Sequence, residues 1–259
     1  MSNNGLKNLD DLFQSARRDG LTNETMDLVV ANLNGPTMIG AVGVSLDEIA
    51  TNEVTLAMNI IDRSSSMSPF AANVIEAYND DYLAAMQGSS AADDILISTI
   101  LFNQKVSLYH GYVNVADAPP LTRRRYNPSG TTALYDAVAG GLTNMVLYAQ
   151  QLRSSGIMVR CLVIVYSDGA DNESRQRAAD VARASQELLR HELYTLAYVG
   201  FSPGGLSPDR LQRMADAIGF PEALVSGLSH AELRRIFQLA SQSTVRVSRQ
   251  GAAPSGVFS

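Results

Sequence analysis

Val54-Thr55-Leu56-Ala57-Met58-Asn59-Ile60-Ile61-Asp62-Arg63-Ser64-Ser65-Ser66 runs from an apolar segment of strand length directly into the pattern D-x-S-x-S. A short apolar run of this kind reads as a buried strand. At its end, alternate residues in an extended turn point the same way, so the Asp62 carboxylate and the Ser64 and Ser66 hydroxyls can face one small hard cation. Oxygen donors without His or Cys favour magnesium, manganese or calcium over zinc. The same residues also read as a strand followed by serines that cap the next helix, because Ser and Asp are favoured N-cap residues.

Two later segments repeat the arrangement of an oxygen donor at an element junction. Gly130-Thr131-Thr132-Ala133-Leu134-Tyr135-Asp136-Ala137 places a threonine at the mouth of a helix-like stretch. Cys161-Leu162-Val163-Ile164-Val165-Tyr166-Ser167-Asp168-Gly169 carries a buried-strand pattern into an aspartate.

With these three motifs in this order, the chain resembles the von Willebrand factor A domain family. That family's metal-ion-dependent adhesion site combines D-x-S-x-S with a separate Thr and a separate Asp. The matching positions here are Asp62, Ser64, Ser66, Thr132 and Asp168, and the resemblance spans Val54 to Ser243. It implies a divalent cation, magnesium first, with manganese or calcium as alternatives. Ser64, Ser66 and Thr132 would touch the ion directly, and Asp62 and Asp168 directly or through water. Thr131 is the rival of Thr132, which is preferred because T-x-L-Y-D-A aligns with the family's form of the motif.

From Glu53 onward, strand-like and helix-like segments alternate. Strands are expected at Val54 to Ile61, Ile95 to Phe102, Val106 to Val113, Val159 to Tyr166 and Leu193 to Val199. Helices are expected at Phe70 to Gln87, Leu134 to Leu152, Arg175 to Arg190, Pro208 to Ile218 and His230 to Gln242. This alternation calls for an α/β fold: a Rossmann-like, doubly wound, mostly parallel sheet with helices on both faces. As in the resembled family, the Val106 strand would lie antiparallel at an edge. Ligands of such sheets collect beyond the carboxyl ends of the strands, where Asp62 and Asp168 fall. Ser64 and Ser66 would sit near the start of the following helix, whose dipole favours an anion.

Upstream, Leu9 to Ala31 carries helical spacing through Leu12, Phe13 and Ala16 and then Met26, Val29 and Val30, with a cap at Thr22 or Asn23. Asn34-Gly35-Pro36 breaks that pattern, and Thr37 to Ala50 fits an extended pair or a loop. The organisation expected is a partly helical N-terminal extension over 1–51, a von Willebrand factor A-like domain over 52–245, and a mobile tail over 246–259, where Ser, Gly, Ala and Pro predominate.

The chain has 259 residues, 46% hydrophobic and 18% charged, enough for one large core. Its net charge of −6 argues against general attraction to nucleic acid or anionic membrane. The polar stretch Met1 to Asp11 and the lack of any long apolar run lead us to expect a cytoplasmic protein. Cys161 is the lone cysteine and reads as a small buried hydrophobe. His110, His191 and His230 fit no metal spacing. Asp171 reads as a helix cap, Asp136 as a polar face or a supporting partner, and Arg123-Arg124-Arg125 as a solvated loop in preference to a basic rim.

The charge count sets the expected mechanism. Two carboxylates compensate a divalent ion, while three neutral hydroxyls leave its shell of about six oxygens incomplete. In the resembled family the open position takes an Asp or Glu carboxylate from a protein partner. The expectation is therefore a metal-dependent protein-binding module and no enzyme. Its partner would be another protein, for which the family association suggests a MoxR-class ATPase, or a second copy of the chain. A magnesium-dependent phosphatase using Asp62 and a structural subunit with a merely stabilising ion are the alternatives. Position 64 is Ser, so the D-x-D pair that would favour phosphoryl transfer is absent, as is a G-x-x-x-x-G-K-[ST] phosphate loop.

Overall fold

Every residue of strand β1 (Glu53–Asp62) after Glu53 is buried, because the strand runs through the middle of a sheet covered on both faces. The computed structural model describes residues 9–18, 20–33, 43–169, 171–201, 207–221, 223–226 and 229–250. Besides β1, its strands are β2 (Ile95–Phe102), β3 (Val106–Asn114), β4 (Met158–Ser167), β5 (Tyr194–Phe201) and β6 (Ala223–Ser226). They form one sheet in the order β3-β2-β1-β4-β5-β6. All neighbours pair in parallel except β2 and β3, which form an antiparallel hairpin at one edge with a register shift near Thr99.

The helices are α1 (Leu9–Arg18), α2 (Asn23–Ala31), α3 over 71–87, α4 (Leu134–Arg153), α5 (Ala178–Leu189), α6 (Pro208–Ala217) and α7 (His230–Gln250). Side chains alternate across β1: Leu56, Met58 and Ile60 belong to the core cluster on one face, which also takes in α1, α2, α4, α5 and α6. Ala57 and Ile61 pack against α3 and α7 on the other face. A Cβ added at Gly141 would fall 2.5 Å from Ile60 Cδ1, so glycine is what lets α4 approach β1 so closely.

Helix α3 departs from the expected regular helix Phe70 to Gln87. Ser65–Phe70 is 3-10, Ala71–Glu76 is α-helical, Ala77–Leu83 is a π-helix and Ala84–Gln87 is α-helical again. The wider turn faces α7, where buried Asp81 accepts from Arg234 Nε at 3.2 Å and Gln238 Nε2 at 2.9 Å. Phe237 of α7 stacks on Tyr166 of β4 with centroids 4.9 Å apart.

Other boundaries also move. The helix expected from Arg175 begins at Ala178, and the strand expected over Leu193 to Val199 spans Tyr194–Phe201. Strand β6 was not anticipated. Helix α7 continues past Gln242 to Gln250, so 246–250 are helical and do not belong to a tail, while 251–259 lie outside the described residues. Two hydroxyls in α7 bond back into the helix, Ser241 to the Gln238 carbonyl and Thr244 to the Ala240 carbonyl, each at 2.9 Å. Such back-bonding satisfies a Ser or Thr hydroxyl inside a helix. The expected break Asn34-Gly35-Pro36 lies outside the described residues, and 43–50 form a loop with a 3-10 turn at Leu46–Glu48.

The N-terminal helices dock on the sheet's α4 face through Ala16, Leu21, Met26 and Val29. Thr22 occupies the cap position of α2 but makes no capping bond through its side chain. Its hydroxyl donates instead to Glu187 of α5 at 2.6 Å, and Thr22 N and the Thr25 hydroxyl donate to the same carboxylate. Burial works to raise the Glu187 pKa, but these bonds and nearby His191 outweigh it and hold the carboxyl below its ordinary value. Removing the acceptor with Glu187→Ala is expected to cost about 1–3 kcal/mol by orphaning these donors. Hydrogen exchange should then rise first in α2. Because the folded pKa is depressed, wild type loses the charge-dependent part of this contribution as the pH falls through that value.

Among the described residues no helix is long and apolar enough to cross a membrane.

Candidate metal centre

The sheet order places a topological switch between β1 and β4: from β1 the chain moves outward to β2 and β3, then returns to β4 on the other side. In open α/β sheets the crevice beyond the strand ends at such a point is where ligands bind. Asp62 closes β1, Ser167 closes β4, and Asp168 follows it. The pairing of Ile61 with Tyr166 sets Asp62 beside Ser167.

Asp62 is fully buried, and both of its oxygens are engaged. Oδ1 accepts from Ser64 N at 2.7 Å, and Oδ2 accepts from Ser167 Oγ at 2.6 Å. Burial pushes its pKa up to about 6, against the lowering effect of the Ser167 and Ser64 hydrogen bonds and with a further upward push from the Asp168 charge. The Asp62 backbone carbonyl accepts from the buried Tyr126 hydroxyl at 2.8 Å.

The two serines link this carboxylate to the second one. Ser64 Oγ lies 3.1 Å from Ser66 Oγ, and Ser66 Oγ donates to Asp168 Oδ1 at 2.8 Å. Ser64 stands at the cap position of the 3-10 segment Ser65–Phe70, yet its hydroxyl makes no capping bond. The helix-capping reading of these serines therefore does not hold here, and no regular helix begins at them. Asp168 is buried, which raises its pKa, an effect that Ser66 partly offsets.

Thr132 and Thr131 part company. Thr132 is buried, and a Cβ added at Gly169, next to Asp168, would lie 3.6 Å from its Oγ1. The Thr131 hydroxyl instead donates to exposed Glu173 at 3.3 Å. Asn172 pins Thr132 in place: its Oδ1 accepts from Thr132 N at 2.8 Å, and its own N donates to the Thr132 carbonyl at 3.0 Å.

Asp171 and Asp136 hold the same two loops together. Asp171 accepts from Tyr135 N in the first turn of α4 and from Ser174, but it does not cap the helix expected near Glu173, because α5 begins only at Ala178 with Arg177 in the cap position. Asp136 Oδ1 accepts from Arg175 N at 3.0 Å and Gln176 N at 2.8 Å, a supporting role. Tyr126, Ser167 and Asn172 were not singled out from sequence. Only Ser167, adjoining Asp168, carried a local signal.

His110 and His191 take no part. His110 lies on β3 with Nδ1 bonded to the Gly111 carbonyl, and burial lowers its pKa. Cys161 is buried in β4, and burial pushes its thiol up to about 11, which makes it inert. Among the described residues no three His, Cys, Asp or Glu side chains gather closely enough to hold an ion. The cluster at the switch point consists instead of two carboxyls and neighbouring hydroxyls.

That donor set fits a hard divalent cation. Two buried carboxyls, raised in pKa and without an ion pair among the described residues, lack a positive charge, and all the facing donors are oxygens.

No family model and no curated protein matches the chain. Solved structures do. The chain is similar to a von Willebrand factor type A protein from Catenulispora acidiphila, at 19% identity and a TM-score of 0.51, over 74% of this chain and 43% of that one. The fold is von Willebrand factor A-like. The PilB minor pilin from Streptococcus sanguinis shares it at 13% identity and a TM-score of 0.56, over 80% of this chain and 64% of that one. The pilus adhesin SpaC from Lactobacillus rhamnosus GG does so at 11% identity and a TM-score of 0.56, over 76% of this chain and 30% of that one. The chain thus spans less than two thirds of the length of each. In this von Willebrand factor A-like frame, the mostly parallel sheet and antiparallel edge expected from sequence are present.

Proposed function

We propose that this chain is a metal-dependent protein-binding module in which Asp62, Ser64, Ser66, Thr132 and Asp168 hold a divalent cation, magnesium first. When bound, the ion supplies an open position for an Asp or Glu carboxylate of a protein partner. The observation that carries this reading is the continuous chain of contacts Ser167–Asp62–Ser64–Ser66–Asp168 across the switch point. Ser167 and Ser64 N orient Asp62, while Asn172 orients Thr132. A MoxR-class ATPase and a second copy of this chain are the partners we put forward, with the cytoplasm as the place of action.

The phosphatase alternative is disfavoured by Asp62 itself. A nucleophile must reach its substrate, whereas Asp62 is fully buried with both oxygens engaged.

Immobilised protein is expected to capture its partner from native cell extract in magnesium and to release it in EDTA. The Ser64→Ala, Ser66→Ala double variant should capture nothing while melting as a folded protein. Capture that ignores both EDTA and the double variant would overturn the reading. Turnover of a generic phosphate ester that vanishes in the same variant would support the enzyme instead.

A further inference from the structure

The loop that delivers Thr132 also carries Arg123-Arg124-Arg125, and the fold sets another guanidinium against it. Arg63, between Asp62 and Ser64, donates from Nη1 to the Arg125 carbonyl at 3.3 Å and from Nη2 to Ser107 Oγ at 3.0 Å. Its own carbonyl accepts from Ser129 N at 2.8 Å. The Arg125 guanidinium lies 5.4 Å over the Tyr109 ring. Arg123 and Arg124 are exposed at the tip of a turn closed by bonds from Arg125 N and Tyr126 N to the Thr122 carbonyl. Lys105 is exposed in the adjoining β2–β3 turn, which Asn103 Nδ2 ties to the Ser129 carbonyl at 2.8 Å.

Among the described residues none of these cations is paired with an acid. In a protein of net charge −6, an uncompensated positive cluster is a local field of opposite sign to the whole. It flanks the β2–β3 side of the metal centre, while Asp171 and Glu173 occupy the β4 side, each engaged in hydrogen bonds. A charge run that reads as a solvated loop in sequence thus gains Arg63 against it and the Lys105 turn tied beside it.

We propose that this basic flank docks an acidic stretch of a protein partner, next to the carboxylate that enters the metal position. The place beside that carboxylate rests on the metal-capture reading; the basic surface stands on its own charges. The geometry sets a direction, with the partner's acidic residues lying toward Arg63 and Arg123–Arg125 and away from Asp171 and Glu173.

The test uses the full chain in magnesium and two labelled probes, a polyglutamate peptide and a glycine-rich peptide with a single glutamate. Polyglutamate is expected to bind more tightly. Arg123→Gln with Arg124→Gln should weaken it about fivefold at low salt, the scale of a few exposed charge pairs, and leave the single-glutamate peptide unchanged. Adding Arg125→Gln should weaken it further. Equal binding of polyglutamate by wild type and variants overturns the proposal, whatever EDTA does. Arginine-dependent polyglutamate binding that survives EDTA and Asp62→Ala upholds the basic surface, whereas single-glutamate binding that survives both overturns only the metal reading. Tighter arginine-dependent binding of a DNA duplex or of phosphatidylserine vesicles than of polyglutamate overturns the assignment to an acidic protein segment.

Discussion

Without metal and near pH 7, Asp62→Asn is expected to stabilise the chain by up to about 3 kcal/mol. Burial raises the Asp62 pKa to about 6 from an ordinary 3.8, so the folded state binds this proton more tightly than the unfolded state does. The site's contribution is therefore fully present below the unfolded value and is lost as the pH rises through about 6. Asparagine carries no charge to desolvate, can still accept from Ser64 N through Oδ1, and can donate its amide to Ser167 Oγ. Denaturant unfolding across this range should show the advantage of the variant shrinking as the pH falls toward 4, where wild-type Asp62 is protonated as well. Magnesium reverses the order: wild type gains stability by mass action, while the variant, having lost a ligand, gains none. A difference between the two proteins that is flat with pH would contradict the buried, cation-seeking carboxylate.

Gly219→Ala is expected to cost about 3 kcal/mol or more, from a strained backbone and a clash that cannot relax. Gly219 follows α6 with φ +74°, a left-handed conformation, and its N–H donates to the Asp216 carbonyl at 3.0 Å. An added Cβ would lie 2.4 Å from the Ala182 carbonyl oxygen and 2.8 Å from its Cα, both backbone atoms of α5. Gly156 supplies the control. Its φ is +88°, yet nothing lies within 4 Å of an added Cβ. Gly156→Ala should therefore cost only the conformational penalty of about 1–2 kcal/mol. If equilibrium unfolding finds the two substitutions equally tolerated, the close packing of α5 on the end of α6 is wrong.

The central strands were legible because strands buried on both faces must be apolar throughout. Val54 to Ile61, Ile95 to Phe102 and Val159 to Tyr166 all announce themselves in this way. Asp62, Ser64, Ser66 and Asp168 were legible as polar residues where apolar runs stop, and the structure links them by hydrogen bonds. What was missed depends on tertiary partners. Strand β6 has only four residues and pairs with β5 alone. The π-helix of Ala77–Leu83 faces α7, and its buried Asp81 finds Arg234 and Gln238 there, partners remote in sequence. Asn172 gains its role only when the β4–α5 loop meets the start of α4. The adjacent Thr131 and Thr132 differ only in which way the folded loop turns them, one toward Glu173 and the other toward Gly169.

The most direct measurement is a crystal structure of the full chain soaked in manganese chloride, with anomalous diffraction locating the ion. The account predicts one peak at the β1–β4 switch point, within about 2.5 Å of the Ser64, Ser66 and Thr132 hydroxyl oxygens. It also predicts that this peak is absent from Asp62→Ala crystals treated identically. No peak at that position in wild type, or an undiminished peak in the variant, would contradict the account.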